Sequence, residues 1–197
     1  IVILETLSDT YEAKAAVLAV KENTSLPVIC TMTFDEKGYA LTGADALTMT
    51  ALLEGLGVDA LGINCGLGPV QIKGIFDKLI KYSSVPVLVQ PNAGLPKVEN
   101  GQTVYDISAE EFACHMADFA KEGAWLIGGC CGTTPAHIQK TVEKCKNIVP
   151  PSVTKKNFTV VSSYSKSVII DKKPVVIGER INPTGKKKFK QALKDNN

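Results

Sequence analysis

No stretch of this chain stays apolar for more than a handful of residues, well short of the ~20 that cross a bilayer as a helix. The opening Ile1-Val2-Ile3-Leu4-Glu5 carries neither an initiator Met nor the basic n-region of a signal peptide. Membrane insertion and export are therefore not expected. Low-complexity tracts are absent too, and 45% hydrophobic with 21% charged residues over 197 positions fits an ordinary folded protein of one medium domain or parts of two. No G-x-G-x-x-G follows any strand-like run, which sets aside a dinucleotide-binding sheet. Aromatics do not interleave with the basic run Lys186-Lys187-Lys188, so we read it as a solvated helix start and not as a nucleic-acid surface. The net charge of +2 is unevenly spread: residues 151–197 hold eleven basic and three acidic side chains, the preceding part eleven and seventeen. That shift marks a module boundary. The six cysteines lie at strand ends and on helices without the look of a secreted disulfide framework, which implies a reducing cytoplasm.

Apolar runs of strand length alternate with amphipathic runs of helix length, the βαβα pattern of a parallel sheet covered by helices. Strands are expected at Ile1–Thr6, Leu26–Phe34, Ala60–Cys65, Pro86–Gln90 and Trp125–Gly129. Helices are expected at about Ser8–Glu22, Gly43–Leu56, Pro69–Tyr82, Ser108–Lys121 and Thr134–Lys146. Ser108 with Glu111, and Thr134 before Pro135, are helix-start signals. Five units are too few to close an eight-stranded barrel, so the pattern implies an α/β (β/α)8 TIM barrel present as its five C-terminal units, with the rest upstream. After Pro150-Pro151 the rhythm stops. Residues 149–173 read as a linker with some extended structure, and Pro174–Gly178 as the first strand of a second barrel.

Cys65 in Gly62-Ile63-Asn64-Cys65-Gly66 and the pair in Gly128-Gly129-Cys130-Cys131-Gly132 each close an apolar run at a glycine, where a barrel enzyme carries its chemistry. Neighbouring strand residues point to opposite faces, so Cys130 and Cys131 reach one ion only if the chain is already leaving the sheet, a freedom the three glycines supply. Three thiolates with a fourth position open form a catalytic zinc set, and sulfur donors suit a substrate thiol better than a hydrolytic water. A thiol bound to such an ion loses its proton near neutral pH and becomes a nucleophile. Thiol alkylation is the reaction class implied.

The strings Glu5-Thr6-Leu7-Ser8-Asp9, Met32-Thr33-Phe34, Gly62-Ile63-Asn64-Cys65-Gly66, Gln90-Pro91-Asn92-Ala93-Gly94 and Gly128-Gly129-Cys130-Cys131-Gly132-Thr133-Thr134-Pro135 resemble, in that order, the homocysteine S-methyltransferase family. The resemblance covers roughly residues 1–146. It implies a homocysteine-binding zinc barrel over residues 1–148, of which strands four to eight are present, with Cys65, Cys130 and Cys131 holding zinc and homocysteine sulfur as fourth ligand. It also implies that Glu5 pairs with the substrate ammonium and that Asn92 belongs to the substrate site. Without it, Glu5 would cap the next helix and Asn92 would be a turn residue. The tail Val175-Val176-Ile177-Gly178-Glu179-Arg180-Ile181-Asn182-Pro183-Thr184-Gly185 is similar to the opening of the pterin-binding barrel in the cobalamin-dependent, methionine-forming members. Residues 174–197 would then begin a methyltetrahydrofolate barrel, with Glu179 and Asn182 facing the pterin. Methylcobalamin, on a domain elsewhere in the parent chain, would be the methyl donor, recharged by methyltetrahydrofolate. The isolated segment is expected to be inactive.

Other residues are set aside. Cys30, Cys114 and Cys145 are read as buried or surface thiols, His115 and His137 as lying on helices outside the mouth, and Ser8 and Asp9 as a helix start. One rival is another methyl donor within the same family. A second is a phosphate-binding barrel using the Gly128-Gly129 amides, which leaves Cys65 unexplained. A structural zinc or redox pair is the third, opposed by the ligand count and by vicinal geometry.

Overall fold

The computed structural model describes residues 1–171, 173–178 and 182–196. In chain order the first elements are β1 (Val2–Leu7), α1 (Thr10–Asn23), β2 (Val28–Met32), α2 (Ala46–Gly55), β3 (Ala60–Asn64), α3 (Pro69–Tyr82) and β4 (Val87–Gln90). Then come β5 (Lys97–Glu99), β6 (Gln102–Val104), α4 (Ala109–Glu122), β7 (Ala124–Ile127), α5 (Pro135–Cys145), β8 (Thr159–Ser162), β9 (Ser167–Ile170) and α6 (Lys187–Lys194). Strands β1-β2-β3-β4-β7 form one parallel sheet in that order. These are five consecutive units of a (β/α)8 barrel, as the alternation of runs implies. Among the described residues no helix is long and apolar enough to cross a membrane.

Helix α3 shows why the helices cover one face. Ile72, Ile75, Phe76 and Leu79 recur at helical spacing and are buried, with Lys73, Asp77 and Lys81 outside that stripe. Phe76 meets Phe119 of α4 edge-on at 4.8 Å between ring centres. The stripe packs on Leu61, Ile63, Val87 and Val89, and each such side chain contributes about 1.5–3 kcal/mol by leaving water. The other sheet face carries Ile3, Ile29, Ala60, Leu88 and Leu126, the positions that point into a closed barrel. It is open at the β1 edge, where Ile3 is 52% exposed. Gly62 has to be glycine, since a Cβ there would fall 2.1 Å from the Leu88 carbonyl oxygen of the next strand.

Element ends differ from expectation where local chemistry intervenes. Asp9 caps α1, its Oδ1 accepting from the amides of Tyr11 (2.6 Å) and Glu12 (3.2 Å), so the helix begins at Thr10 and not at Ser8. Helix α2 starts at Ala46 behind its cap Asp45, because Gly43 sits at φ 87° in the left-handed region. One hairpin was not expected, β5–β6 in the loop after β4, while β8–β9 is the form taken by the extended structure expected inside the linker. The strand expected at Pro174–Gly178 does not form: Val176 is 97% exposed, and no described strand lies beside this segment to share a ladder. Lys187–Lys194 is a helix, as the basic run suggested.

The β8–β9 hairpin is docked on the outside of the helices. The Tyr164 hydroxyl donates to Asp9 Oδ2 at 2.9 Å, Thr10 Oγ1 donates to the Tyr164 carbonyl at 2.7 Å, and the Tyr164 and Tyr11 rings lie 4.4 Å apart. The Tyr164 hydrogen bond, with those from Tyr11 and Glu12, holds the Asp9 carboxyl below its ordinary value of 3.8. A depressed carboxyl contributes stability that is present above the unfolded-state value and lost as pH falls through the folded one. Protection of the hairpin amides from hydrogen exchange is therefore expected to hold at neutral pH and to weaken below the ordinary carboxyl range. Asp9→Asn should remove that dependence.

Candidate metal centre

Four consecutive residues at the end of β4 hold the three cysteines. Cys65 N donates to the Gln90 carbonyl at 3.0 Å, and Cys130 N to the Pro91 carbonyl at 2.9 Å. Cys131 is gripped twice, its N–H donating to Asn92 Oδ1 at 3.1 Å and its carbonyl accepting from Ala93 N at 2.8 Å. Cys65 follows β3 directly and itself adopts φ 59°, which turns the chain sharply out of the sheet. Cys130 and Cys131 lie beyond the last residue of β7, so the chain has left the sheet there as the vicinal pair requires.

The glycines around the pair act differently from expectation. Only Gly132 takes a left-handed φ, at 78°, whereas Gly128 and Gly129 provide space: a Cβ on Gly129 would fall 2.5 Å from Thr133 Cγ2.

The result is a cluster of three sulfurs, all within 4.8 Å of one another. Cys65 Sγ stands 3.6 Å from Cys131 Sγ, and Cys130 Sγ 4.0 Å from Cys131 Sγ. Sulfurs bound at about 2.3 Å to a tetrahedral zinc stand about 3.8 Å apart, so the donor set fits the ion by type and by spacing. Burial pushes the Cys130 thiol up to about 12, with its neighbours Cys65 and Cys131 adding to the effect. Three thiolates at this spacing repel one another, and a divalent cation between them removes that cost. Among the described residues this is the one cluster of three or more metal-ligating side chains.

The family described as homocysteine S-methyltransferase matches residues 1–145. The chain belongs to the homocysteine S-methyltransferase family. It is 35% identical over 200 residues to a methionine synthase of Mycobacterium tuberculosis, an alignment that takes in 98% of this chain and 17% of the relative. The chain thus spans about a sixth of that relative's length. Among solved structures, the homocysteine methyltransferase MmuM from Escherichia coli in its apo form superposes with a TM-score of 0.58 at 27% identity, over 72% of this chain and 48% of that one. Its metallated form gives the same TM-score at 26% identity, over 72% and 44%.

Within this family frame the remaining residues find their places. Asn92 is buried, and its side chain props the Cys131 amide. Glu5 is exposed near the end of β1, and its side chain makes no hydrogen bond or ion pair with the described residues; with Asp9 as the cap of α1, the capping role weighed for Glu5 falls away. Cys30 is buried in β2 and, on burial alone, pushed up to about 12, so it is a core thiol. Cys114 and Cys145 sit on α4 and α5 away from the cluster. His137 completes the cap of α5: its Nδ1 accepts from Thr134 N at 3.2 Å, which leaves Nε2 to donate to the Ile107 carbonyl at 3.0 Å. Asn182 Oδ1 accepts from Thr184 N at 2.8 Å, an ordinary turn contact, and Glu179 lies outside the described residues. The phosphate reading loses support because the amides of Gly128, Cys130, Cys131, Thr133 and Thr134 already donate within the protein.

Two residues that support the site escaped the sequence reading. Tyr105 lies against the cysteine loop. Asn64 is 1% exposed and ties three strands together at the mouth, its Oδ1 accepting from Thr6 N (2.8 Å) and Thr31 Oγ1 (2.7 Å) and its Nδ2 donating to Thr6 Oγ1 (2.6 Å). An asparagine inside the apolar Leu61-Gly62-Ile63 strand was the available signal. Asn64→Leu strands two donors in the interior and is expected to cost about 3 kcal/mol, measurable as an earlier denaturant midpoint at unchanged slope.

Proposed function

We propose that this chain is part of a methyltransferase that methylates homocysteine on sulfur at a zinc held by Cys65, Cys130 and Cys131, forming methionine. The observation that carries the reading is the convergence of those three sulfurs, from two separate βα loops, within 4.8 Å at the C-terminal end of the parallel sheet. The family match agrees with it. When bound, zinc supplies a Lewis-acid position that favours the thiolate form of a thiol at neutral pH.

The chain's own residues do the positioning. Gln90 to Ala93 fix the three ligands by main-chain contacts, and Asn92 adds its side chain to that frame. Asn92 Nδ2 makes no hydrogen bond with the described residues and is a donor for the substrate. Glu5, exposed near the end of β1, offers a carboxylate to the substrate ammonium. The site's three unpaired thiols fit a reducing cytoplasm.

The donor is assigned from the tail. The alignment with methionine synthase takes in 98% of the chain, beyond the end of the family match at residue 145. We therefore read 149–173 as the connection between modules and 174–197 as the opening of a pterin-binding barrel, with Glu179 and Asn182 toward methyltetrahydrofolate. Methylcobalamin on a further domain is the immediate donor. The segment by itself, with the inner face of its sheet open at β1, is inactive.

The full-length protein is expected to hold about one zinc at this site, and Cys130→Ser to lose it. Homocysteine titrated into the loaded protein should release a proton as the thiol binds. Zinc undiminished in Cys130→Ser, or homocysteine bound at full strength after zinc removal, would take these ligands out of the mechanism.

A further inference from the structure

Gln90 ends β4 with its side chain on the face of the sheet that points into the barrel. Leu88 packs with Ile29 and Ala60 on that inner face while Val87 and Val89 meet the helices, so alternation along the strand sends Gln90 inward. It stands between the two cysteine loops. Its main-chain carbonyl accepts from Cys65 N at 3.0 Å, and a Cβ on Gly128 would fall 3.2 Å from both its Cγ and its Nε2, so the side chain is laid against the start of the Cys130 loop. Its register partner on β3 is Asn64, a second amide. The two amides are used in opposite ways. Asn64 Oδ1 accepts from Thr6 N and Thr31 Oγ1, and its Nδ2 donates to Thr6 Oγ1, which makes it a strut between strands. Gln90 Oε1 is buried and has no hydrogen-bond partner among the described residues. Thr42 Oγ1, Gln71 Oε1 and Thr141 Oγ1 share that condition, but Gln90 alone among them belongs to a strand of the sheet.

We infer that Gln90 is a substrate-recognition residue whose side-chain carbonyl accepts a hydrogen bond from the ammonium of the thiol amino acid. The inference rests on the proposed function above and adds to it a neutral group that reads the amino end of the substrate. A buried carbonyl without a donor destabilises a fold, and that cost is recovered when a donor arrives from outside. The terminal torsion of a glutamine is broad, and no hydrogen bond with the described residues holds this amide, so its oxygen turns to an incoming group at little cost. The choice of group follows from the substrate: its thiol goes to the metal, its carboxylate only accepts, and its ammonium offers three donors. Hydrogen bonds from a charged donor are the stronger kind. An uncharged acceptor also suits the place, since a carboxylate here would add to the repulsion among the three thiolates, whereas an amide oxygen brings no charge to them.

Three thiols titrated into the zinc-loaded full-length protein separate the amino end from the rest: homocysteine, 3-aminopropane-1-thiol, which lacks the carboxylate, and 4-mercaptobutanoate, which lacks the ammonium. Gln90→Met removes the amide at nearly the same volume and leaves the main-chain carbonyl on Cys65 in place. It is expected to weaken the first two thiols about tenfold, the loss of one hydrogen bond to a charged donor, and to leave 4-mercaptobutanoate affinity and zinc content unchanged. Gln90→Asn keeps a polar end and draws the carbonyl back by one methylene, and it should give the same selective loss should Gln90→Met not fold. Equal weakening of all three thiols, no weakening of any, or a loss confined to the two that carry a carboxylate overturns the inference while leaving the metal centre standing. Zinc lost from both variants would make the residue a support of the ligands and overturns it too. Absence of zinc-dependent binding of any of the three to the unaltered protein overturns the proposed function, and this inference with it.

Discussion

The candidate site depends on the main chain of Gln90 to Ala93. Strand β4 lies between β3 and β7, so its end is flanked by the cysteine that follows one neighbour and the pair that follows the other. Groups of this segment then reach to both sides: the Gln90 carbonyl to Cys65 on one, and the Pro91 carbonyl to Cys130 and the Asn92 side chain with the Ala93 amide to Cys131 on the other. Proline suits its position, since it has no N–H to satisfy and its fixed φ stiffens the segment just where two loops hang on it. A shift of one residue in the β3–β4 register would move Cys65 off its carbonyl and turn the neighbouring side chains to the wrong face. The ligand geometry is in this sense a property of strand order and register, and the cysteines contribute only their sulfur.

Electrostatics separates a ligand set from a set of thiols that happen to be close. Cys30 and Cys130 are both pushed up to about 12, but for different reasons. Around Cys30 the cause is burial among apolar side chains, and nothing there would change if a cation were nearby, because none could enter. Around Cys130 burial is joined by two further sulfurs, of which Cys131 is exposed. There a cation can reach the cluster, and its charge acts on all three groups together. The same elevation thus belongs to an inert core thiol in one place and to a cluster that a cation can reach in the other.

The sequence showed the parallel α/β alternation, the order of the five units and the three sulfurs, because those rest on period, strand ends and residue type. It did not show what holds the sulfurs, since main-chain acceptors such as the Gln90 and Pro91 carbonyls carry no side-chain signature. Tyr105 was hidden for a related reason: its contact with Gly132 is made across a hairpin whose short strands, Lys97–Glu99 and Gln102–Val104, are too polar to read as strands. Asn64 was visible as a polar residue in an apolar run, but its partners Thr6 and Thr31 lie on other strands and appear only when the register is known. At Pro174–Gly178 the opposite error arose. A strand-like composition predicted a strand, while a strand needs a neighbour, and none of the described ones is beside it.

The segment after the barrel units shows how much the word linker can conceal. A flexible chain of the 25 residues from 149 to 173 would let its far end wander about 28 Å from its start. This one is held along its length. The Pro151 carbonyl accepts from Trp125 Nε1 at 3.0 Å, Lys156 N donates to Ser84 Oγ at 3.0 Å, and Phe158 meets the Tyr82 ring edge-on at 5.8 Å. Farther on, Tyr164 is bound to Asp9 and Thr10, and Ser167 Oγ accepts from Thr48 Oγ1 at 3.2 Å. The strap therefore runs from β7 past the end of α3 to α2 and α1, joining the last βα unit to the first without passing through the sheet. Each contact is weak, yet together they remove most of the freedom that would otherwise separate whatever follows residue 173 from the barrel units. If a methyl group passes between modules, as the proposed function has it, such a restriction would help, because the search is then over fewer arrangements.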